Sequence, residues 1–174
     1  MSGGKVKVKL RSLKPEDAPL MLEWMHDPSV VEKLQTNFAG KTLDDCLAFI
    51  SAAEENSEDI HLAITQDGED IYLGTVSLKH IRDGQAEFAI TVRKCTMGTG
   101  CAIEAMRAIL DYGIRELKLK RIYWCVDPEN RRAVRFYDKN GFRRIPAPET
   151  RDYTPEQRLA YLWYEWTEED TVPA

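Results

Sequence analysis

Paired cysteines are missing from this sequence. Cys46, Cys95, Cys101 and Cys125 contain no Cys-x-x-Cys spacing, so a disulfide scaffold is excluded and free thiols are expected. Histidine is scarce: His26, His61 and His80 lie far apart without metal-ligand spacing, and no metal is expected. No run approaches the roughly 20 apolar residues of a membrane span. The start, MSGGKVKVKLRSL, lacks the apolar block of a secretory signal. A cytoplasmic protein without a membrane partner is expected. A basic excess is also absent: 24 Lys and Arg face 29 Asp and Glu, a net charge of −5. That excludes a large nucleic-acid surface and suits either a cationic partner or plain solubility. Low-complexity linkers and internal repeats are lacking too. Residues 1–174 therefore read as one domain, with a core of about 6–166 and a tail, 167–174, expected to fray.

What is there is strong periodicity. KVKVKLRSL alternates as a strand. Pro15 opens a helical run with acidic residues in its first turn, and Asp27-Pro28 breaks it before a second short helix. Thr42 caps a third helix with Leu43, Cys46, Leu47 and Ile50 on one stripe. Three strands follow, joined at Asp67-Gly68 and Asp83-Gly84, and Asp-Gly between alternating apolar runs is a strong hairpin signal. A long helix then carries Ala102, Ala105, Met106, Ile109, Gly113 and Leu117 in one stripe. RIYWCV is a short apolar strand, Asn130 caps the helix RRAVRFYDKN, GFRRI is a strand, and QRLAYLWYEW reads as a last long strand. The order predicts an α+β fold with helices packed on a mostly antiparallel sheet.

The junction TVRKCTMGTGCAIEAM (91–106) passes from strand to helix through Gly98 and Gly100. The first amides of a helix have no internal partner, and glycine lets a phosphate approach them. The same glycines also suit a tight turn that needs only their φ angles. A Walker A loop is excluded because Cys101-Ala102 follows the last glycine, where Lys and Ser or Thr are required. A Rossmann fingerprint is excluded because Ile103 takes the place of its third glycine, and because the preceding strand leaves an antiparallel meander.

Taken together, Met97-Gly98-Thr99-Gly100-Cys101-Ala102 and VDPENRRAVRFYDKNGF (126–142) resemble the two signatures of the GNAT superfamily of acyl-CoA-dependent N-acyltransferases. LEWMHDPSVVEKL resembles the branch holding ribosomal-protein N-terminal, polyamine and amino-sugar acetyltransferases. Met97 stands where that family usually has Gln or Arg. The resemblance implies a sheet splayed into a V with helices on both faces, and acetyl-CoA as co-substrate. Ala89, Ile90, Thr91 and Val92 would bond pantetheine through their backbone. The amides of Met97, Gly98, Thr99, Gly100, Cys101 and Ala102 would hold the pyrophosphate. Asn130, Ala133, Phe136 and Lys139 would flank the other side of the cofactor. The implied reaction is direct acetyl transfer to a primary amine of a small molecule or of a protein or peptide N-terminus. The alternative is an acyl-CoA-binding or regulatory module without turnover.

Within that frame Tyr137 and Glu87 are the candidate catalytic residues. A departing thiolate needs a proton, which a phenol can supply; Tyr137 is equally a core aromatic on an amphipathic helix. An amine acceptor is mostly ammonium at neutral pH, so Glu87 is placed to take its proton or hold it. If Asp83-Gly84 is a two-residue turn, His80 falls opposite Glu87 and shares its face. His80 would then tune Glu87 or act as base, and an ordinary exposed ion pair explains the pattern as well. Trp24 and His26, with His80, are assigned to the acceptor side. Cys101 at a helix start could carry a lowered thiol pKa. The aromatic last strand could pair across a homodimer.

Overall fold

The computed structural model describes residues 7–34 and 36–171. The start of the predicted first strand and residues 172–174 of the tail lie outside these. The described residues form seven strands: β1 (Val8–Ser12), β2 (Ile60–Gln66), β3 (Glu69–Arg82), β4 (Gln85–Val92), β5 (Arg121–Val126), β6 (Arg143–Ile145) and β7 (Leu162–Thr167). They make one sheet in the order β1-β2-β3-β4-β5-β7-β6. Every pairing is antiparallel except β4 with β5. The helices are α1 (Ala18–Met25), α2 (Pro28–Val31), α3 (Leu43–Glu55), α4 (Cys101–Arg115), α5 (Arg131–Lys139) and α6 (Pro155–Ala160). None is long and apolar enough to cross a membrane, among the described residues.

Alternation along the strands builds two cores, one on each face. Ile64, Val76 and Leu78 pack with Met106, Ile109 and Leu110 of α4 and with Trp124 and Tyr137. Ala63, the neighbour of Ile64, points the other way and packs with Met21 and Trp24 of α1, Cys46 and Ile50 of α3, and Tyr72. Two-period alternation in β2 thus divides its side chains between two helical layers. Helix α4 comes very close to the sheet at Gly113. A Cβ there would lie 2.8 Å from Ile122 Cδ1 and 3.0 Å from Leu78 Cδ1. The helix ends at Arg115, so Leu117 of the predicted stripe lies beyond it.

Both Asp-Gly turns form. Gln66 pairs with Glu69, and Arg82 with Gln85. Asp83 and Gly84 have φ of 52° and 75°, the left-handed pair that suits a two-residue hairpin.

Three expectations need correction. QRLAYLWYEW is not one strand: Thr154 caps α6, with Pro155 at its first position and Gln157 closing a capping box, and β7 begins only at Leu162. Strand β7 lies between β5 and β6, so both its edges are paired and it cannot add a strand across a dimer. The tail is tied down as far as Thr171: Asp170 takes the Thr167 N–H at 2.9 Å and pairs with Arg143 at 3.0 Å, and Thr171 Oγ1 takes the Trp166 indole N–H at 3.0 Å.

Candidate active site

The fork in the sheet organises the site. Strands β4 and β5 run parallel over three rungs, Gln85 to Arg121, Ala86 to Ile122 and Glu87 to Tyr123. There the pairing stops. Residues 88–92 of β4 continue on β3 alone, while β5 continues on β7 alone. The half-buried residues Ala89, Ile90, Thr91 and Val92 therefore present a strand edge without a strand partner among the described residues. Such an edge takes an extended amide-bearing chain, as a pantetheine arm is.

Beyond β4 the chain turns through the glycine loop. Gly98 and Gly100 both adopt left-handed backbone, φ 81° and 86°, with no atom within 4 Å of where a Cβ would sit. Conformation demands glycine here, and the space above the loop is open. The amides alternate in use. Met97 N–H bonds Lys94 O, Thr99 N–H bonds Thr96 O, and Cys101 N–H bonds Thr99 Oγ1. The amides of Gly98, Gly100 and Ala102 have no acceptor among the described residues, so these fit a phosphate, and the other three of the predicted set are occupied. Arg132 Nη1 lies 2.9 Å from Met97 Sδ, which lays a guanidinium beside the loop whose own sequence lacks the expected Gln or Arg.

Across the fork, Asn130 Oδ1 caps α5 by accepting the Ala133 N–H at 3.3 Å. Ala133, Phe136 and Tyr137 lie on the inner side of α5. Lys139 is exposed beside Arg131 and Arg135, and it lies about one helical turn beyond Phe136 on the same side of α5. Tyr137 is 8% exposed, among Trp124, Phe136, Phe142 and Tyr164. Burial pushes its phenol well above the ordinary value, so the hydroxyl stays protonated. Cys101 is buried too, and burial raises its thiol to about 11, opposite to the lowering expected at a helix start. A thiolate there is disfavoured.

Glu87 stands on the last rung before the fork and is 3% exposed. Its Oε2 accepts the hydroxyl of Tyr153. Its Oε1 has no hydrogen-bond partner among the described residues. His80 Nε2 lies 3.6 Å from that oxygen. The predicted pairing of His80 opposite Glu87 is off by one: Lys79 takes that place. Between the rungs Lys79–Glu87 and Arg82–Gln85 the chain holds one extra residue, a bulge in which His80 has φ 55°. Asp59 Oδ1 takes the His80 N–H at 2.8 Å, and Glu58 O takes the Ile81 N–H at 2.8 Å. These bonds hold the bulge and aim the imidazole at Glu87 even so.

Asp152 and Tyr153 were not singled out from the sequence. They belong to the segment between β6 and α6, and Tyr153 reaches Glu87 across 66 residues of sequence. Asp152 Oδ1 lies 3.8 Å from His80 Nδ1, and its Oδ2 binds Arg82. The one local signal was the capping box Thr154-Pro155-Glu156-Gln157, which sets where that segment ends. Next to this cluster is a cleft of about 570 Å³ lined by His80, Arg82, Gln85, Tyr123 and Thr150, among others. Two acceptor-side residues lie elsewhere. Trp24 is a correction, 5% exposed in the second core with its indole N–H on Tyr72 Oη at 2.8 Å. His26 is exposed, with Nε2 2.8 Å from Lys41 O.

The comparisons with known proteins agree with this geometry. The family model described as an acetyltransferase (GNAT) domain matches residues 7–143, a span that ends before Asp152 and Tyr153. Probable N-acetyltransferase YjcK of Bacillus subtilis is 37% identical over 93 residues, 52% of this chain and 51% of the relative, so this chain spans about half the length of that protein. Spermidine N(1)-acetyltransferase of Escherichia coli K12 is 30% identical over 142 residues, 78% of this chain and 72% of the relative. Among solved structures, spermidine N-acetyltransferase of Vibrio cholerae in complex with CoA and spermine superposes with a TM-score of 0.78 at 19% identity, covering 94% of this chain and 97% of that one. Mycobacterium smegmatis RimJ with CoA-disulfide gives 0.75 at 18% identity, covering 98% and 88%. The forked sheet, the open glycine loop and these matches together assign the chain to the GNAT acetyltransferase family, as an acetyl-CoA-dependent N-acetyltransferase.

Proposed function

We propose that the acceptor presents a primary ammonium to Glu87 at the fork, and that Glu87 removes its proton before attack on the acetyl group. One observation carries this reading: a carboxylate 3% exposed, with Oε1 free of any hydrogen bond among the described residues, on the last rung where β4 leaves β5. A buried acceptor oxygen without a donor costs on the order of 1–3 kcal/mol or more, a cost that a bound ammonium would offset. Acetyl-CoA supplies the activated acyl group as a thioester. The amides of Gly98, Gly100 and Ala102 are suited to its phosphates, and the open edge of β4 to its pantetheine.

Tyr137 is the proposed proton donor to the departing thiolate. Its protonated, buried phenol supports the role. Its aromatic surroundings equally support a packing role, in which water protonates the sulfur. The acceptor is a small-molecule amine or a protein or peptide N-terminus, and the likeness to a spermidine acetyltransferase makes polyamines the first class to try. Cysteines without a disulfide among the described residues favour a reducing, cytoplasmic compartment.

The test is thiol release from acetyl-CoA with polyamines, amino sugars, amino acids and N-terminal peptides, in the parent and in Glu87→Gln. Glu87→Gln is expected to keep acetyl-CoA affinity and lose turnover by roughly 100-fold, more at low pH than at high pH, because a base matters most when the amine is protonated. Superimposable pH–rate profiles would remove Glu87 from the role.

A further inference from the structure

A buried base must discharge each proton that it takes. Glu87 lies on the innermost rung of the fork, and Tyr153 already covers its Oε2. At 3% exposure it has almost no direct contact with water. His80 has the opposite character. Its side chain is 32% exposed and lines the cleft, while its Nε2 lies 3.6 Å from the unpartnered Oε1 of Glu87. On its other side, Nδ1 lies 3.8 Å from Asp152 Oδ1. An imidazole set between a buried carboxylate and a half-buried one, open to solvent at its rim, has the layout of a proton carrier.

We propose that His80 carries the proton from Glu87 to the cleft, with Asp152 as the positioning residue that holds the imidazole and stabilises its charged form; this rests on the reading of Glu87 as base. The ammonium N–H bond breaks and Glu87 Oε1 becomes protonated, leaving a neutral amine. The proton then passes to Nε2 of neutral His80, which restores the carboxylate and makes an imidazolium beside Asp152. The imidazolium releases a proton to water in the cleft and returns to neutral. Both distances exceed hydrogen-bond length, so each transfer needs a small ring rotation or one bridging water.

The charges around His80 suit this cycle. Glu87 faces it from β4 and Asp152 from the segment after β6. Arg82, on its own strand, is turned onto Asp152. Tyr123 lines the cleft from β5, Lys79 pairs across from Glu87, and Asp59 holds the His80 backbone. Burial pushes the Asp152 carboxyl up, but hydrogen bonds from Arg82 and Thr150 and the charge of His80 bring it below the usual carboxylate range. Asp152 thus remains an anion when His80 needs one.

The test measures kcat from about pH 6 to pH 9, with spermidine or the amine that the release screen identifies, in Glu87→Gln, His80→Gln, Asp152→Asn and Arg82→Gln. Acceptor and acetyl-CoA are saturating, with and without free imidazole. His80→Gln is expected to lose about 10-fold or more in kcat, with KM for acetyl-CoA unchanged, and free imidazole should restore much of the rate. Asp152→Asn should move the acid limb of the profile to lower pH, because the imidazolium loses its anionic neighbour. Arg82→Gln breaks the same ion pair but keeps the carboxylate, and its limb should stay or move the other way. A parental kcat for His80→Gln beside a slow Glu87→Gln overturns the relay and leaves Glu87 as base. A slow His80→Gln with a parental melting temperature that imidazole fails to restore also overturns it. A parental Glu87→Gln overturns the base reading itself.

Discussion

Tyr153 is the residue on which the most rests without a local sequence signal. Its phenol is held well above its ordinary value by burial and then by the charge of Glu87, so it stays a donor to Oε2. Tyr153→Phe leaves that oxygen buried without its donor. A hydrogen bond to a charged group is worth about 1.5–3 kcal/mol, so the melting temperature should drop by roughly 3–12 °C, with KM for acetyl-CoA unchanged. An unchanged melting temperature would mean that the bond contributes nothing. Tyr137 calls for the complementary experiment. Tyr137→Phe preserves packing among Trp124, Phe142 and Tyr164 and removes only the hydroxyl. With acceptor saturating, kcat should fall by roughly 100-fold; retention of most of kcat would return Tyr137 to a packed aromatic. At this scale Glu87 and Tyr137 became candidates through the family resemblance, and His80 through the readable Asp83-Gly84 turn beside Glu87; their roles are those proposed above. Trp24 could not be separated from the acceptor side, since a helix-end tryptophan looks the same whether it lines a pocket or seals a core.

At the scale of elements, the two glycine positions in α4 and its loop make different demands. Gly100 needs left-handed backbone with open space around it. Gly100→Ala should therefore cost about 1–2 kcal/mol in stability from its φ alone. Calorimetry should then show acetyl-CoA affinity falling beyond what that strain explains. Gly113 has ordinary backbone but no room. Gly113→Ala should cost about 1–3 kcal/mol by overpacking against Ile122 and Leu78 while leaving acetyl-CoA affinity alone, and urea midpoints with calorimetry distinguish the two variants. The β3–β4 hairpin was legible from Asp83-Gly84. Its bulge was not, because SLKHIR alternates like any strand and the extra residue is stabilised by Asp59 and Glu58 from outside the hairpin. Helix α6 was legible in Thr154-Pro155-Glu156-Gln157, but the aromatic run after it reads as a strand and masked the cap.

For the whole molecule, burial of a titratable ring inside one face links stability to pH. His61 is held between Phe49 at 4.7 Å and Ser77 Oγ at 2.6 Å. Burial keeps its imidazole below the ordinary value, against the pull of Asp59 and with the help of Lys79. An unfolded histidine titrates near about 6.5. Between that value and the lower folded one, the unfolded chain binds more protons, so stability falls as pH drops through the window and is untouched by this group above it. His61→Gln keeps a partner for Ser77 and should shrink the loss in urea midpoint between about pH 7.5 and about pH 5.5. An equal loss in parent and variant would put the acid sensitivity elsewhere. By itself the sequence determined most strands, both hairpin turns, most helices and the glycine loop, because periodicity, caps and turn residues act over a few neighbouring positions, and its two motifs carried the family resemblance. Only the tertiary structure decided where β4 parts from β5, which loop amides stay free, and that Asp152 and Tyr153 return from the far end of the chain to His80 and Glu87. Those features depend on sheet order and side-chain contact across dozens of residues, and no local pattern encodes the distance between groups that only packing brings together.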